Sequence, residues 1–273
     1  MKNILIPTDY SSCARNAIQY AMDYFGHKEV QYYFLNTFVQ PSSSAGMMVS
    51  LIEMMREDSV KGMKNEIDYF EDLLPENSAK ITGLTEYGSL ATIVDREVRE
   101  RQIDFVVMGT KGAEGLDKFI SGSNAADLIR SVKCPLMIVP EDKSFSKIDT
   151  LGFAADFERL KDNSILSPIE AMIQDLDTEI VVVNVRKQGE TLDIEKGAAR
   201  LNLDILFKDK AYRVNNVEND NIVEGINQFG EDYDIDVLVM IARKHGFFES
   251  LFRKSITKEI AMMGRLPLMI INE

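Results

Sequence analysis

The stretch Phe105-Val-Val-Met-Gly-Thr-Lys-Gly-Ala-Glu-Gly-Leu-Asp-Lys-Phe-Ile-Ser-Gly-Ser-Asn-Ala-Ala-Asp-Leu-Ile129 decides how the chain is read. An apolar run, Phe105 to Met108, stops at Gly109. Gly112 follows after two residues, and the pair Gly122-Ser123 after nine more. Ala125, Leu128 and Ile129 then open an apolar set at helical spacing. The pattern is a strand, a glycine-bearing loop and a helix that begins at Gly122-Ser123. A helix N-terminus offers unpaired N–H groups and the positive end of a dipole, which suits phosphate. Glycines at the strand exit and helix start let backbone approach a ligand without a Cβ in the way. On spacing alone a plainer reading stands beside this one: Gly109 and Gly112 turn the chain, and Ser123 caps a helix.

Working outward, residues 3–8 form a short apolar run ended by Pro7 and read as a buried strand with Asp9 at its carboxyl end. Ser11 or Ser12 is placed to cap a helix whose apolar positions are Ala14, Ala17, Ile18 and Ala21. Val30 to Phe38 reads as a second strand, and Pro41 to Gly46 as a loop. Leu51, Met55, Met63, Ile67, Phe70 and Leu74 mark a long amphipathic helix with Pro75 just past it, its methionines read as core filling. Lys80 to Tyr87 reads as a strand, Leu90 to Arg101 as a helix, residues 123–131 as a helix and Leu136 to Val139 as a fifth strand. Strands alternating with helices imply a parallel sheet with right-handed crossovers and helices on both faces.

The pattern then repeats. Glu141 to Lys147 is short, polar and aperiodic, as a linker between domains at 1–140 and 147–273 would be. Thr150 to Asp156 repeats the first strand and its terminal aspartate, and Glu179 to Val185 repeats Val30 to Thr37 with Asn184 matching Asn36. Asp236 to Met240 repeats Asp104 to Met108, and Leu266 to Ile271 repeats Cys134 to Val139, both at an offset of 132 residues. The second copy is shorter in the part that matches residues 39–75. Two fused copies of one domain account for the chain. At that offset Gly109 falls on Ile241, Gly112 on Lys244 and Gly122 on Lys254, and only Ser123 meets its like, Ser255. Side chains stand where backbone would have to approach phosphate. Arg243, Lys244, His245, Arg253 and Lys254 make the second loop basic, either a solvated face or an anion site built from side chains.

Composition narrows the function. The 273 residues are 45% hydrophobic, enough for two packed domains. With 44 acidic against 31 basic residues the net charge is −13, which argues against nucleic acid as a partner. No apolar run approaches the roughly 20 residues of a membrane span, and the chain enters a strand at once, unlike a secretory leader. Cys13 and Cys134 do not make a disulfide framework and read as buried, inert thiols, so a reducing cytoplasm is the expected compartment. Two histidines, His27 and His245, exclude a histidine-rich metal site.

The motif Gly109-x2-Gly112-x9-Gly122-Ser123 resembles the nucleotide-binding signature of the universal stress protein (UspA-like) family. Lys2-Asn-Ile-Leu-Ile-Pro-Thr-Asp9 with Ser11, Ala14 and Ala17 is similar to that family's first strand and helix, and Val132 to Pro140 to the end of its domain. The resemblance is strong over residues 1–140 and weaker beyond. It implies two fused Rossmann-like (adenine nucleotide α-hydrolase-like) α/β domains, each a five-stranded parallel sheet in the order 3-2-1-4-5. The winding then reverses between strands one and four, which end at Asp9 and Gly109, and ligands of such sheets bind at that point.

By the same resemblance the first domain binds ATP or a related adenine nucleotide. Asp9 would meet the ribose and the backbone near Thr8 and Thr37 the adenine. Gly109, Gly112, Gly122, Ser123 and Asn124 would hold the phosphates and Lys111 would add charge, with Pro7 and Met108 flanking the strand ends. Any Mg²⁺ would sit on the phosphates and water. The implied role is regulation of stress tolerance rather than catalysis. The alternatives are a slow ATPase, or a sensor or adaptor whose second domain takes another ligand or a protein. Pro7-Thr-Asp-Tyr-Ser11 lacks the Ser-Gly-Gly loop of related ATP-cleaving folds, and neither a base nor an arginine finger is evident. The apolar fifth strands, Leu136 to Val139 and Leu268 to Ile271, would be exposed edges on isolated domains. The expectation is an intramolecular pseudo-dimer built on them, with a further homodimer left open.

Overall fold

The structure, a computed structural model, describes residues 1–39, 48–75, 78–110, 123–154, 178–186, 195–207, 210–242 and 266–272. The chain divides into two units, Met1–Phe145 and Ser146–Glu273.

The first unit runs β1 (Lys2–Pro7), α1 (Ser12–Phe25), β2 (Val30–Phe38), α2 (Met48–Glu71), β3 (Lys80–Tyr87), α3 (Leu90–Glu100), β4 (Phe105–Gly109), α4 (Ser123–Ser131) and β5 (Leu136–Val139). Its strands pair in parallel in the order β3-β2-β1-β4-β5. Ile4, Leu5, Ile6, Val106, Val107 and all of β5 are buried, which is why these strands read as unbroken apolar runs. Ser11 starts α1 by accepting the Ala14 N–H on its hydroxyl. Gly26, at a φ of +77°, ends it with its own N–H on the Met22 carbonyl. The buried face of α1 is mostly small residues, Cys13, Ala14, Ala17 and Ala21, so the helix can lie close to the sheet.

Two features differ from the sequence expectation. On α2 the fully buried positions are Ser59, Met63, Glu66 and Phe70, while Leu51, Met55 and Ile67 are half-buried, Met54 is exposed, and Leu74, also half-buried, falls past the end of the helix. Residues 141–145, expected as free linker, are held against α1. Asn16 Nδ2 donates to the Pro140 and Lys143 carbonyls, and the Phe145 ring meets Tyr20 edge-on at 5.4 Å. A polar composition concealed this, because one aromatic and two backbone carbonyls do the holding.

The second unit runs β6 (Thr150–Ala154), β7 (Glu179–Arg186), α5 (Glu195–Leu206), β8 (Tyr212–Glu218), α6 (Ile222–Asp232), β9 (Val237–Ala242) and β10 (Leu268–Asn272). Its strands are also parallel, in the order β8-β7-β6-β9-β10, so β6, β7, β8, β9 and β10 take the places of β1 to β5. Between β7 and β8 the described helix α5 has 12 residues, where α2, between β2 and β3, has 24. At 1.5 Å per residue that is about 18 Å against about 36 Å.

Candidate functional site

β1 and β4 lie side by side, Ile4 beside Phe105 and Leu5 beside Val106. From β1 the chain goes on to β2 on one side, and from β4 to β5 on the other. The winding of the sheet therefore reverses between β1 and β4, and the gap outside the carboxyl ends at such a reversal is where an open α/β sheet holds a ligand.

Burial ends abruptly at the tip of β1. Pro7 and Thr8 are buried, and Asp9 is exposed. The Asp9 carboxylate accepts the Ser11 N–H at 3.1 Å, which ties it to the start of α1. Thr8 N–H still reaches the Leu35 carbonyl, the last rung between β1 and β2. The next rung would join Thr37 N–H to the Thr8 carbonyl, but that carbonyl accepts from Asn36 Nδ2 at 2.8 Å. Leu35 bonds toward β1 and Phe38 bonds away from it, to Gly88. By strand alternation Thr37 therefore turns its N–H and C=O toward the gap.

Gly109 closes the other side. A Cβ there would lie 2.7 Å from Cys13 Sγ, 2.9 Å from the Cys13 carbonyl oxygen and 3.1 Å from its carbon. Only a residue without a side chain lets the first turn of α1 sit this close to the end of β4. Thr110 N–H continues to the Val139 carbonyl at 3.1 Å. The close approach brings Asp9, the α1 start and the β4 exit to one place.

α2 supplies the back of the site. Ser59 Oγ donates to Asn36 Oδ1 at 2.6 Å, and the Tyr10 hydroxyl donates to the Ser59 carbonyl at 2.7 Å. Burial pushes the Tyr10 phenol up to about 12, so it remains a donor at neutral pH. Two turns further along α2, the fully buried Glu66 takes Arg15 Nε at 2.8 Å, and the Arg15 guanidinium lies over the Tyr69 ring. Burial raises the Glu66 carboxyl against the opposing effect of Arg15, and the charge of Asp9 adds to the rise. None of Tyr10, Asn36, Ser59, Arg15 and Glu66 was singled out from the sequence as a site residue. The available signal was polar residues at 59 and 66, in helical step with the core positions 63 and 70.

Of the residues expected at the site, Pro7, Thr8, Asp9, Thr37, Met108 and Gly109 all fall at the carboxyl ends of β1, β2 and β4. Ser123 and Asn124 open α4. Lys111, Gly112 and Gly122 lie outside the described residues, as do Asp156, Arg243, Lys244, His245, Arg253, Lys254 and Ser255 in the second copy. Ile241, the counterpart of Gly109, is a buried strand residue paired with Ile271. Among the described residues no group of three His, Cys, Asp or Glu side chains is arranged to hold a metal, and no helix is long and apolar enough to cross a membrane.

Residues 1–140 match the family model described as the universal stress protein family. The chain belongs to that family. A curated relative, a universal stress protein of Methanocaldococcus jannaschii, is 26% identical over 148 residues, covering 52% of this chain and 84% of the relative. Among solved structures, a universal stress protein from Archaeoglobus fulgidus DSM 4304 superposes with a TM-score of 0.74 at 17% identity, over 99% of this chain and 96% of that one. A protein of unknown function from Pseudomonas aeruginosa PAO1 superposes with a TM-score of 0.59 at 13% identity, over 100% of this chain and 92% of that one. At such identities these two likenesses speak for the fold alone, and they extend it over both copies.

Proposed function

We propose that the first unit binds an adenine nucleotide, ATP or a close relative, and that the protein acts as a nucleotide-responsive member of its family rather than as an ordinary enzyme. Asp9 takes the ribose hydroxyls, and the outward-facing N–H and C=O of Thr37 meet the adenine beside Thr8. The backbone at Gly109, Gly112 and Gly122, with Ser123 and Asn124 at the start of α4, holds the phosphates, and Lys111 adds a positive charge. Mg²⁺, where present, is carried by the phosphates and water.

The observation that carries this reading is the convergence of an exposed carboxylate, Asp9, and a side-chain-free strand end, Gly109, at the reversal point of the sheet. The residues fit the group. A carboxylate is an acceptor suited to paired hydroxyls, and helix starts and glycine backbone are suited to phosphate. The second unit is proposed to bind no phosphate, because Ile241, Lys244 and Lys254 stand where the glycines would be.

Titration calorimetry with ATP tests the reading. The expected stoichiometry is one per chain, abolished by Gly122→Val and unaffected by Lys254→Val. Each charge-assisted hydrogen bond to phosphate contributes roughly 1.5–3 kcal/mol, so loss of two or three weakens binding at least about a hundredfold. A stoichiometry of two, or affinity that survives Gly122→Val, refutes the assignment.

A further inference from the structure

The residues on either side of Asp9 belong to a closed ring of hydrogen bonds that reaches across three elements. Tyr10 N–H donates to Thr8 Oγ1 at 3.0 Å. The Tyr10 hydroxyl donates to the Ser59 carbonyl on α2. Ser59 Oγ donates to Asn36 Oδ1 at the end of β2, and Asn36 Nδ2 donates back to the Thr8 carbonyl. Thr8 and Ser59 are buried and Tyr10 and Asn36 half-buried, so these bonds are partly shielded from water.

Tyr10 also holds a backbone conformation with φ at +65°, which a bulky residue adopts only when its surroundings impose it. What imposes it is visible. The ring rests on α2 at Gly62, where an added Cβ would come within 2.5 Å of Tyr10 Cε2.

We infer that Tyr10 is a positioning residue for the nucleotide: anchored on α2 at Ser59 and Gly62, it fixes the Asp9 carboxylate for the ribose. This rests on the reading of Asp9 given above. Three observations join in it. The chain is clamped at Thr8 and at Tyr10, leaving Asp9 little freedom between them. The same ring diverts the Thr8 carbonyl to Asn36 and so leaves Thr37 facing the gap. The second copy keeps the aspartate, Asp156, but has Ala155 and Phe157 where Thr8 and Tyr10 stand, losing both hydroxyls of the ring. Its Asn184, the counterpart of Asn36, donates to Asn216 instead, at 3.2 Å. The aspartate is thus retained in sequence without the residues that would aim it.

The test compares ATP with 2′,3′-dideoxy-ATP, which lacks the hydroxyls Asp9 would hold. Wild-type protein is expected to prefer ATP by about tenfold or more, the worth of a charge-assisted hydrogen bond. Tyr10→Ala should reduce that preference to within about twofold while the affinity for inorganic triphosphate stays unchanged, and Tyr10→Phe, which keeps the ring on Gly62, should restore part of it. Gly62→Ala is the second variant. It favours the helix in propensity yet displaces the Tyr10 ring. It is expected to lose the preference while the affinity for inorganic triphosphate stays unchanged. Preference retained in both Tyr10→Ala and Gly62→Ala, but lost in Asp9→Ala, overturns the positioning role and leaves the nucleotide reading intact. Absence of ATP binding by wild-type protein overturns both.

Discussion

Gly109→Ala is the substitution whose cost the structure makes most explicit. The added methyl would stand 2.7 Å from Cys13 Sγ and 2.9 Å and 3.1 Å from the carbonyl oxygen and carbon of the same residue. A thiol can turn aside. The carbonyl cannot, because it belongs to the first turn of α1, whose start is fixed by the Ser11 cap and by Asp9. Relief therefore requires the helix to move off β4. Forcing one extra carbon into such a contact costs roughly 1–3 kcal/mol. At about 2–4 °C per kcal/mol for a chain of this size, the melting temperature should fall by about 2–12 °C.

The control is Gly230→Ala in α6. There the new methyl meets Leu266 Cδ1 at 2.6 Å and no other atom nearer than 3.7 Å, so one side-chain rotation relieves it. The helix gains propensity, and the net loss should stay within about 0.5 kcal/mol. Thermal unfolding followed by circular dichroism measures both. A cycle with Cys13→Ala separates thiol from backbone: the thiol's share of the Gly109→Ala loss should be less than half. If Gly109→Ala is as mild as Gly230→Ala, or if Cys13→Ala rescues it fully, the close backbone approach is not what holds α1 at the strand end.

Two buried carboxylates should respond to pH with opposite sign. Burial raises Glu66, with Arg15 opposing, so its contribution to stability is present at low pH and is lost as pH rises past the ordinary carboxylate range of about 4.3; Glu66→Gln should remove that decline from a pH series of denaturant melts. Burial would also raise Glu97, but hydrogen bonds from Arg101 and Arg96 outweigh it and hold the group low, so its contribution is present at neutral pH and lost on acidification. Glu97→Gln should cost roughly 1.5 kcal/mol at neutral pH, the low end for charge-assisted bonds because both arginines reach water, and the cost should shrink as pH falls below the ordinary carboxylate range of about 4.3. Steady phosphate release from ATP should sit far below the ~1–10³ s⁻¹ of ordinary enzymes; a rate inside that range, lost in Asp9→Ala, would replace the binding reading with an enzymatic one.

The sheet was legible in the sequence because buried parallel strands are unbroken apolar runs, and Ile4 to Ile6, Val106 to Met108 and Leu136 to Val139 are such runs. The duplication was legible for the same reason: the runs recur at a fixed offset. The strand order, and with it the reversal point beside Asp9 and Gly109, came from the family resemblance, because apolar runs alone do not say which strands are neighbours. The back wall of the site was not legible. Counting apolar residues along α2 gave positions 51, 55, 63, 67, 70 and 74, whereas the chain buries 59, 63, 66 and 70. Ser59 and Glu66 are inside because Asn36, Tyr10 and Arg15, 23, 49 and 51 residues away in sequence, hydrogen-bond to them there. Periodicity registers the hydrophobic part of a buried face and is silent on polar groups satisfied by a distant partner. Phe145 is a similar case, a single aromatic in a polar segment whose seat on Tyr20 no local pattern announces.

The two copies show why scaffold and site separate so readily. Exchanging one apolar side chain for another of similar size costs a strand little, and both sheets keep the same order with different residues. The site has no such tolerance, since it depends on how near one backbone comes to another. β9 illustrates the difference. Ile241 is 6% exposed and pairs with Ile271, so it serves the strand well. At the matching position in β4 the same side chain would fall on Cys13. A residue that is good for the strand is thereby incompatible with the close approach at β4, and on the proposed reading a second copy that binds no phosphate can take it without loss of fold. Reversing that one step, Ile241→Gly, would still leave Ala155, Phe157, Lys244 and Lys254 at the positions that match the ring hydroxyls and the loop glycines. On the proposed reading one substitution suffices to lose the site, and its recovery takes at least five.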